Sequence, residues 1–283
     1  MSFLALIIAV ILLQVWGNPE AARHDNWFRY WCARVQGSGL SGWPAFALLI
    51  IVPVVGAVLL LDLLRPLLFG LLWIAVAAAL LLYSFGRSDF ATVIERYCRY
   101  CLNGDFEGAW LYLRSELPRI DDSGEVTDPA ALHQKVQQAL FYEGYQRWFA
   151  VVFYFLLLGP AAALAYRLLQ MAATTGYAPM AGRCLSVADW VPARLLALTF
   201  ALAGDFVGSR AALAGVAPGS GIAAEDLLQS VGRSALAGSN SAPEVPAEAF
   251  GTAAAEQVRE LASLLVRGAA CWLVVASLLE LLL

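Results

Sequence analysis

Apolar residues in this chain run in long unbroken stretches. Trp43–Leu64, Leu67–Tyr83, Trp148–Tyr166 and Leu261–Leu283 are long enough, or nearly long enough, to cross a bilayer, which takes about 20 mostly apolar residues. Trp43–Leu64 carries one charge, Asp62, near its end, and Trp148–Tyr166 carries none. A helix on the surface of a soluble domain is apolar along one stripe, not all round. These stretches therefore predict four membrane spans.

Met1–Trp16 is also apolar, without the basic start or small-residue cleavage pattern of a removed signal peptide. It predicts a retained first membrane helix, short and tilted or half-inserted. A further apolar run follows the polar cluster at Asp189. The embedded elements expected are then 2–16, 43–64, 67–85, 148–167, 188–207 and 261–283. The fold class is all-α: a polytopic membrane helical bundle with four spans, up to six embedded helices, and cytoplasmic helical loops.

The segments between are polar enough to be wet. In 88–147, Ser88-Asp89 reads as a helix start, and Phe90, Val93, Ile94, Tyr97, Cys98 and Cys101 recur at helical spacing. Gly104 stops that helix, Asp105 can cap a second over Phe106–Glu116, and Pro118 ends it. Asp121–Gly124 reads as a turn, and Asp128-Pro129 starts a third helix toward Arg147. In 208–260, which is rich in Ala, Gly and Ser, Pro218–Gly221 breaks the chain, Ala223–Leu236 suits a short helix and Gly238–Pro246 reads as a loop. The expected organisation is an N-terminal helix and hairpin (1–87), a cytoplasmic helical region (88–147), central membrane helices (148–207), a polar region (208–260) and a last span (261–283).

Charge placement suggests an orientation. With the N-terminus outside, most of the 18 Lys and Arg residues fall in inside loops, while Arg65, Arg167 and Arg183 fall in outside turns, as the excess of cations in cytoplasmic loops requires. If 188–207 lies flat instead of crossing, the last polar region and the C-terminus change sides. Composition agrees with the class: hydrophobic residues make up 60% and charged residues 14%, against about 45–50% and 25% in soluble domains. The net charge of -4 argues against a nucleic-acid partner. Five irregularly spaced cysteines imply no disulfide framework.

Polar residues at the edges of apolar runs are the candidates for chemistry. The densest group is Asp189-Trp190-Val191-Pro192-Ala193-Arg194-Leu195. It serves either as an interfacial anchor, with Trp190 at headgroup level and Arg194 snorkelling, or as part of a binding site. Glu143, Tyr145 and Arg147 precede the fourth span. Glu143 and Arg147 stand at i and i+4, so a membrane-edge salt bridge competes with a polar pocket shared with Asp189 and Arg194. Arg167 and Arg267 lie at or inside helices, where snorkelling is the plainer reading. Cys98-Arg99-Tyr100-Cys101 lacks the second pair of a zinc site, His24 and His133 are solitary, and no GxxxxGK[ST] motif occurs. No metal, cofactor or catalytic set is called.

The order of elements carries a resemblance. The apolar N-terminal helix is followed by a hairpin ending Tyr83-Ser84-Phe85-Gly86, then by the cytoplasmic helices, then by Gln138–Arg147 (QALFYEGYQR). After a membrane helix comes the Asp-Trp-Val-Pro-Ala-Arg-Leu motif at Asp189–Leu195. The chain resembles the AmpE family, inner-membrane proteins of Gram-negative bacteria. The resemblance implies a multi-pass regulatory protein of the inner membrane, linked to β-lactamase induction and cell-wall sensing. Its ligand would be an anionic small molecule or cell-wall fragment, bound by Glu143, Arg147, Asp189, Trp190 and Arg194, with Tyr145 and Arg167 as secondary candidates. A protein partner stays open; the bilayer is the constant one.

That family is in turn similar to cobinamide-phosphate synthases, whose Trp-Val/Ile-Pro-Ala-Arg-Leu stretch matches Trp190–Leu195 and whose Tyr-Arg matches Tyr166-Arg167. The synthases' acidic Glu-Asn-x-x-Asp motif reads here Glu143-Gly144-Tyr145-Gln146-Arg147. An arginine stays protonated and holds neither a metal nor an abstracted proton, so the resemblance implies a scaffold kept with its amide-forming chemistry lost or changed. A membrane enzyme on that scaffold is the alternative reading, and a transporter ranks last.

Overall fold

The computed structural model describes residues 2–16, 25–85, 90–117, 128–217, 221–237 and 249–282, and every regular element among them is helical. In chain order these are α1 (Ser2–Trp16), α2 (Asn26–Gln36), α3 (Trp43–Leu64), α4 (Leu71–Ser84), α5 (Phe90–Leu102), α6 (Phe106–Glu116) and α7 (Pro129–Gly144). They continue with α8 (Ala150–Leu158), α9 (Pro160–Ala172), α10 (Ala178–Ala188), α11 (Trp190–Ala203), α12 (Arg210–Leu213), α13 (Ala224–Ala237) and α14 (Phe250–Leu282). The helix start expected at Ser88-Asp89, the stop at Pro118, the turn at Asp121–Gly124, His24, residues 218–220 of the expected break and the loop 238–246 lie outside the described residues.

Among the described residues two helices are long and apolar enough to cross a membrane, α3 and the Phe250–Leu278 part of α14. A third span arises only if α10 and α11 count as one bent segment. This corrects the expectation of four spans, and the cause is local backbone geometry. Leu67–Gly70 forms a tight 3₁₀ turn in which Phe69 and Gly70 take φ of 55° and 82°. That leaves α4 with 14 residues, about 21 Å long against a hydrocarbon core of about 30 Å. The stretch Trp148–Tyr166 begins inside a widened helical turn, Tyr145–Phe149, and breaks at Gly159, whose φ is 91°. Pro160 then restarts the helix, a position that suits its missing N–H. The resulting α8 and α9 have 9 and 13 residues. Helix α9 continues past Arg167 to Ala172, so Arg167 sits within a helix and not in an outside turn.

The chain divides into two compact units. The first comprises Met1–Arg87, Arg147–Asp189 and Ala276–Leu283. Here α9 is central and packs against α3, α4, α8 and α10, while α1 packs on α4. Its core joins Phe28, Cys32 and Val35 of α2 to Phe46 and Leu49 of α3 and to Leu164 and Leu168 of α9. The opposite face of α3 leaves Ile51, Val55, Leu59 and Leu63 exposed, as a helix facing lipid would.

The second unit comprises Ser88–Gln146 and Trp190–Val275. The amphipathic reading of 90–101 holds: Val93, Ile94, Tyr97, Cys98 and Cys101 are buried. Gly104 turns the chain with φ 71°, and the Asp105 carboxylate caps α6 by accepting from the Gly108 N–H at 2.8 Å. Asp128 caps α7 the same way, accepting from the Ala130 N–H at 3.1 Å, with Pro129 in the first turn. Helix α13 packs on both α7 and α11. Helix α14 begins before the apolar stretch does, because its first half carries residues that pack into this unit.

Candidate functional site

Asp189 occupies the single-residue break between α10 and α11 and is 1% exposed. Its backbone N–H still bonds back to the Leu185 carbonyl at 2.7 Å. Its carboxylate accepts a hydrogen bond from the Tyr166 hydroxyl of α9 at 2.6 Å. Tyr154 of α8 stacks on Tyr166 with ring centres 5.4 Å apart, and its hydroxyl donates to the Ala188 carbonyl at 2.7 Å. Two tyrosines thus pin the end of α10, one on the side chain of Asp189 and one on the preceding backbone. A hydrogen bond from a hydroxyl to a carboxylate is short and strong, as this one is.

Trp190 and Arg194 belong to the second unit. The Arg194 guanidinium lies 4.3 Å from the centre of the Trp190 ring, and its Nη1 donates to the Trp190 carbonyl at 3.0 Å. Arg194 is 7% exposed while Trp190 is 43% exposed. The arginine therefore folds back over the first turn of its own helix, and the indole covers it.

Glu143 and Arg147 are both half-buried, and Tyr145 is fully buried. Tyr145 packs against Tyr142, whose hydroxyl accepts from Gln146 Nε2 at 2.9 Å. The widened turn Tyr145–Phe149 contains Arg147 and separates α7, which carries Glu143, from α8, so the ordinary four-residue spacing does not run from Glu143 to Arg147. Turns of this kind recur at functional sites. Arg147 and Asp189 are the first and last residues of the middle segment of the first unit.

Arg167 has a different setting from the one expected. Its Nη2 lies 3.7 Å from Asp25 Oδ2, and Nη1 donates to Gln170 Oε1 at 3.0 Å. The Tyr83 hydroxyl donates to Asp25 Oδ1 at 3.1 Å and accepts from the Trp27 indole at 2.9 Å. Asp25 is 6% exposed. This is a buried ionic cluster within the first unit, built from α4, α9 and the start of α2. Snorkelling does not describe Arg167.

The profile of the AmpE family, described as regulatory signalling modulator protein AmpE, matches residues 1–225. The chain belongs to the AmpE family. No curated protein and no solved structure matches it. The match ends at the start of α13. Family membership with apolar helices of this length makes the chain a regulatory membrane protein.

Three groups in this AmpE-family protein escaped the sequence reading. Asp25 gave no sign of its partner, since Arg167 lies far along the chain. Tyr83 and Tyr166 stood in quoted motifs without an assigned role. His133, read as solitary, is buried and bonded at both ring nitrogens. Nδ1 lies 2.9 Å from the Tyr97 hydroxyl, and Nε2 lies 3.0 Å from Gln257 Oε1 and from Gln137 Nε2. Burial holds the His133 imidazole below its ordinary value and pushes the neighbouring Cys101 thiol up to about 11. Burial raises the Cys98 thiol as well, a raised thiol is a poor nucleophile, and both side chains are buried on the apolar face of α5. Cys98 Sγ donates to the Ala255 carbonyl at 3.5 Å. Among the described residues no three His, Cys, Asp or Glu side chains gather as a metal site.

Proposed function

We propose that this protein is a multi-pass inner-membrane signalling modulator that adjusts β-lactamase induction in response to cell-wall state. It responds to an anionic ligand, a cell-wall fragment or a phosphorylated headgroup. Arg147 and Arg194 supply the positive charge, and Asp189, Glu143 and Trp190 complete the recognition. Guanidinium groups suit phosphate and carboxylate because their fork geometry matches both. The observation that carries this reading is Asp189, a carboxylate kept almost wholly from solvent and held by Tyr166. A buried charge is expensive in an apolar setting and marks a functional position by default.

The test is β-lactamase activity with and without an inducing β-lactam in a deletion strain. The strain carries the wild-type chain, Asp189→Asn, Arg194→Ala or no copy, with membrane levels matched by blot. Altered induction on deletion, restored only by wild type, is the expected result. Induction indifferent to the deletion overturns the reading.

A second reading is a membrane enzyme on the cobinamide-phosphate synthase scaffold. The Tyr166–Asp189 bond favours it, because it joins the Tyr-Arg pair to the residue that directly precedes the Trp190–Leu195 stretch. Purified protein that couples no amine to a carboxylate and depletes no ATP would remove it.

A further inference from the structure

Helix α11 has two unlike faces. One carries Ala193, Leu196, Ala197, Phe200 and Ala201, all buried, and α11 packs along α13. The other carries Val191, Leu195, Leu198 and Leu202, between 40% and 74% exposed, at helical spacing. A continuous exposed apolar row of this kind marks an interaction surface.

The outer side of α13 decides what can cover it. Leu227, Leu228, Val231 and Ala235 are buried, whereas Asp226, Ser230 and Arg233 form an exposed polar row. The ends of the two helices are tied, with the Asp205 N–H donating to the Ala235 carbonyl at 2.9 Å. An α11 that crossed the bilayer would carry α13 into hydrocarbon with Asp226 and Arg233 exposed, which lipid penalises heavily. Water is no better a neighbour for the apolar row. Trp272 Nε1 donates to Thr199 Oγ1 at 3.1 Å, and Arg267 Nη1 donates to the Ala203 carbonyl at 2.8 Å. Both donors lie in the candidate span of α14, where Val266, Val274 and Val275 are exposed in turn. The row on α11 therefore adjoins the part of α14 that enters the membrane. Trp190, 43% exposed at one end, and the exposed Arg267 at the other suit headgroup level.

We propose that α11 lies in the plane of the lipid–water interface, its Val191–Leu202 row toward the acyl chains and α13 on the aqueous side. It is an interfacial helix and does not span.

Nitroxide depth measurements on the full chain in phosphatidylethanolamine–phosphatidylglycerol vesicles test this. Cys184 and Cys271 are replaced by Ser. The buried Cys32, Cys98 and Cys101 are retained, and a sample with no added cysteine sets the background. Labels at Val191→Cys, Leu195→Cys, Leu198→Cys and Leu202→Cys should report depths within roughly 5 Å of one another, about one helical pitch, just below the headgroups. Val266→Cys and Val274→Cys, along the span, should differ by about 12 Å. Asp226→Cys and Arg233→Cys should react with a water-soluble maleimide in permeabilised vesicles. A graded depth of about 16 Å from position 191 to 202, protection of the α13 thiols, or aqueous exposure of all four α11 labels each overturns the proposal.

Discussion

The Tyr166 hydroxyl donates a 2.6 Å hydrogen bond to Asp189, joining the middle of α9 to the break that follows α10. Tyr166 is 2% exposed and Asp189 1%, so water cannot replace the donor if it is lost. Tyr166→Phe keeps the ring and its stacking on Tyr154 but removes the proton. The expected cost is about 1–3 kcal/mol, that of leaving a buried acceptor short of a partner. Asp189→Asn, whose amide oxygen still accepts, should cost less than Asp189→Ala. Thermal unfolding of the three variants in detergent checks this order.

Asp25 and Arg167 make a second case in the same unit. Replacing one member of a buried ion pair strands the other charge, and the penalty is on the order of 3 kcal/mol. Asp25→Leu alone should therefore destabilise strongly, and so should Arg167→Met alone. The double variant should recover a large part of the loss, because two apolar side chains need no partner. A four-protein cycle of melting curves reads the coupling directly; purely additive losses would mean that the pair contributes nothing.

The parts of the fold legible in the sequence were those set by local rules. Capping by Asp105 and Asp128 and the apolar stripe of α5 each depend on residues within a few positions, and each was readable. The span count was not, because Gly159 and the turn at Phe69-Gly70 cut runs whose composition alone looks continuous. The candidate site divides in the same way. Asp189 and Arg194 stood out as charges beside an apolar run. The partners of Asp189 and Arg167 lie 23 positions away in Tyr166 and far upstream in Asp25, and nothing local announces a contact at that separation. His133 looked solitary because Gln257, its bonding partner, is 124 positions further on.

Gly251 offers a prediction about close packing. A Cβ built there would run into the Cys101 carbonyl at the end of α5, so α14 could not keep its place. Gly251→Ala should cost about 1–3 kcal/mol, the usual penalty for overpacking. Gly182, a helical glycine in α10, has nothing within 4 Å of its virtual Cβ. Gly182→Ala should be neutral or stabilise by about 0.5–1 kcal/mol through helix propensity. In chemical denaturation the Gly251→Ala midpoint should fall and the Gly182→Ala midpoint should stay level or rise relative to wild type.

The His133 network predicts how stability depends on pH. Nδ1 meets the Tyr97 hydroxyl and Nε2 meets Gln257 Oε1 and Gln137 Nε2, and burial of this set favours the neutral imidazole in the folded protein. Burial, and to a lesser degree the Arg233 charge, lower its pKa from the ordinary 6.5, against the opposing effect of the Gln257 hydrogen bond. Between the lowered folded value and 6.5 the unfolded chain binds more protons at this site. The contribution of His133 is thus fully present above about pH 6.5 and falls away as pH drops below it, with a slope of at most about 1.4 kcal/mol per pH unit. His133→Gln removes the titrating group and should flatten that part of the profile, at the expense of some stability at pH 7.5. Denaturation midpoints of both proteins from pH 5 to pH 8 measure the difference. Parallel profiles would show that His133 does not change its protonation on unfolding.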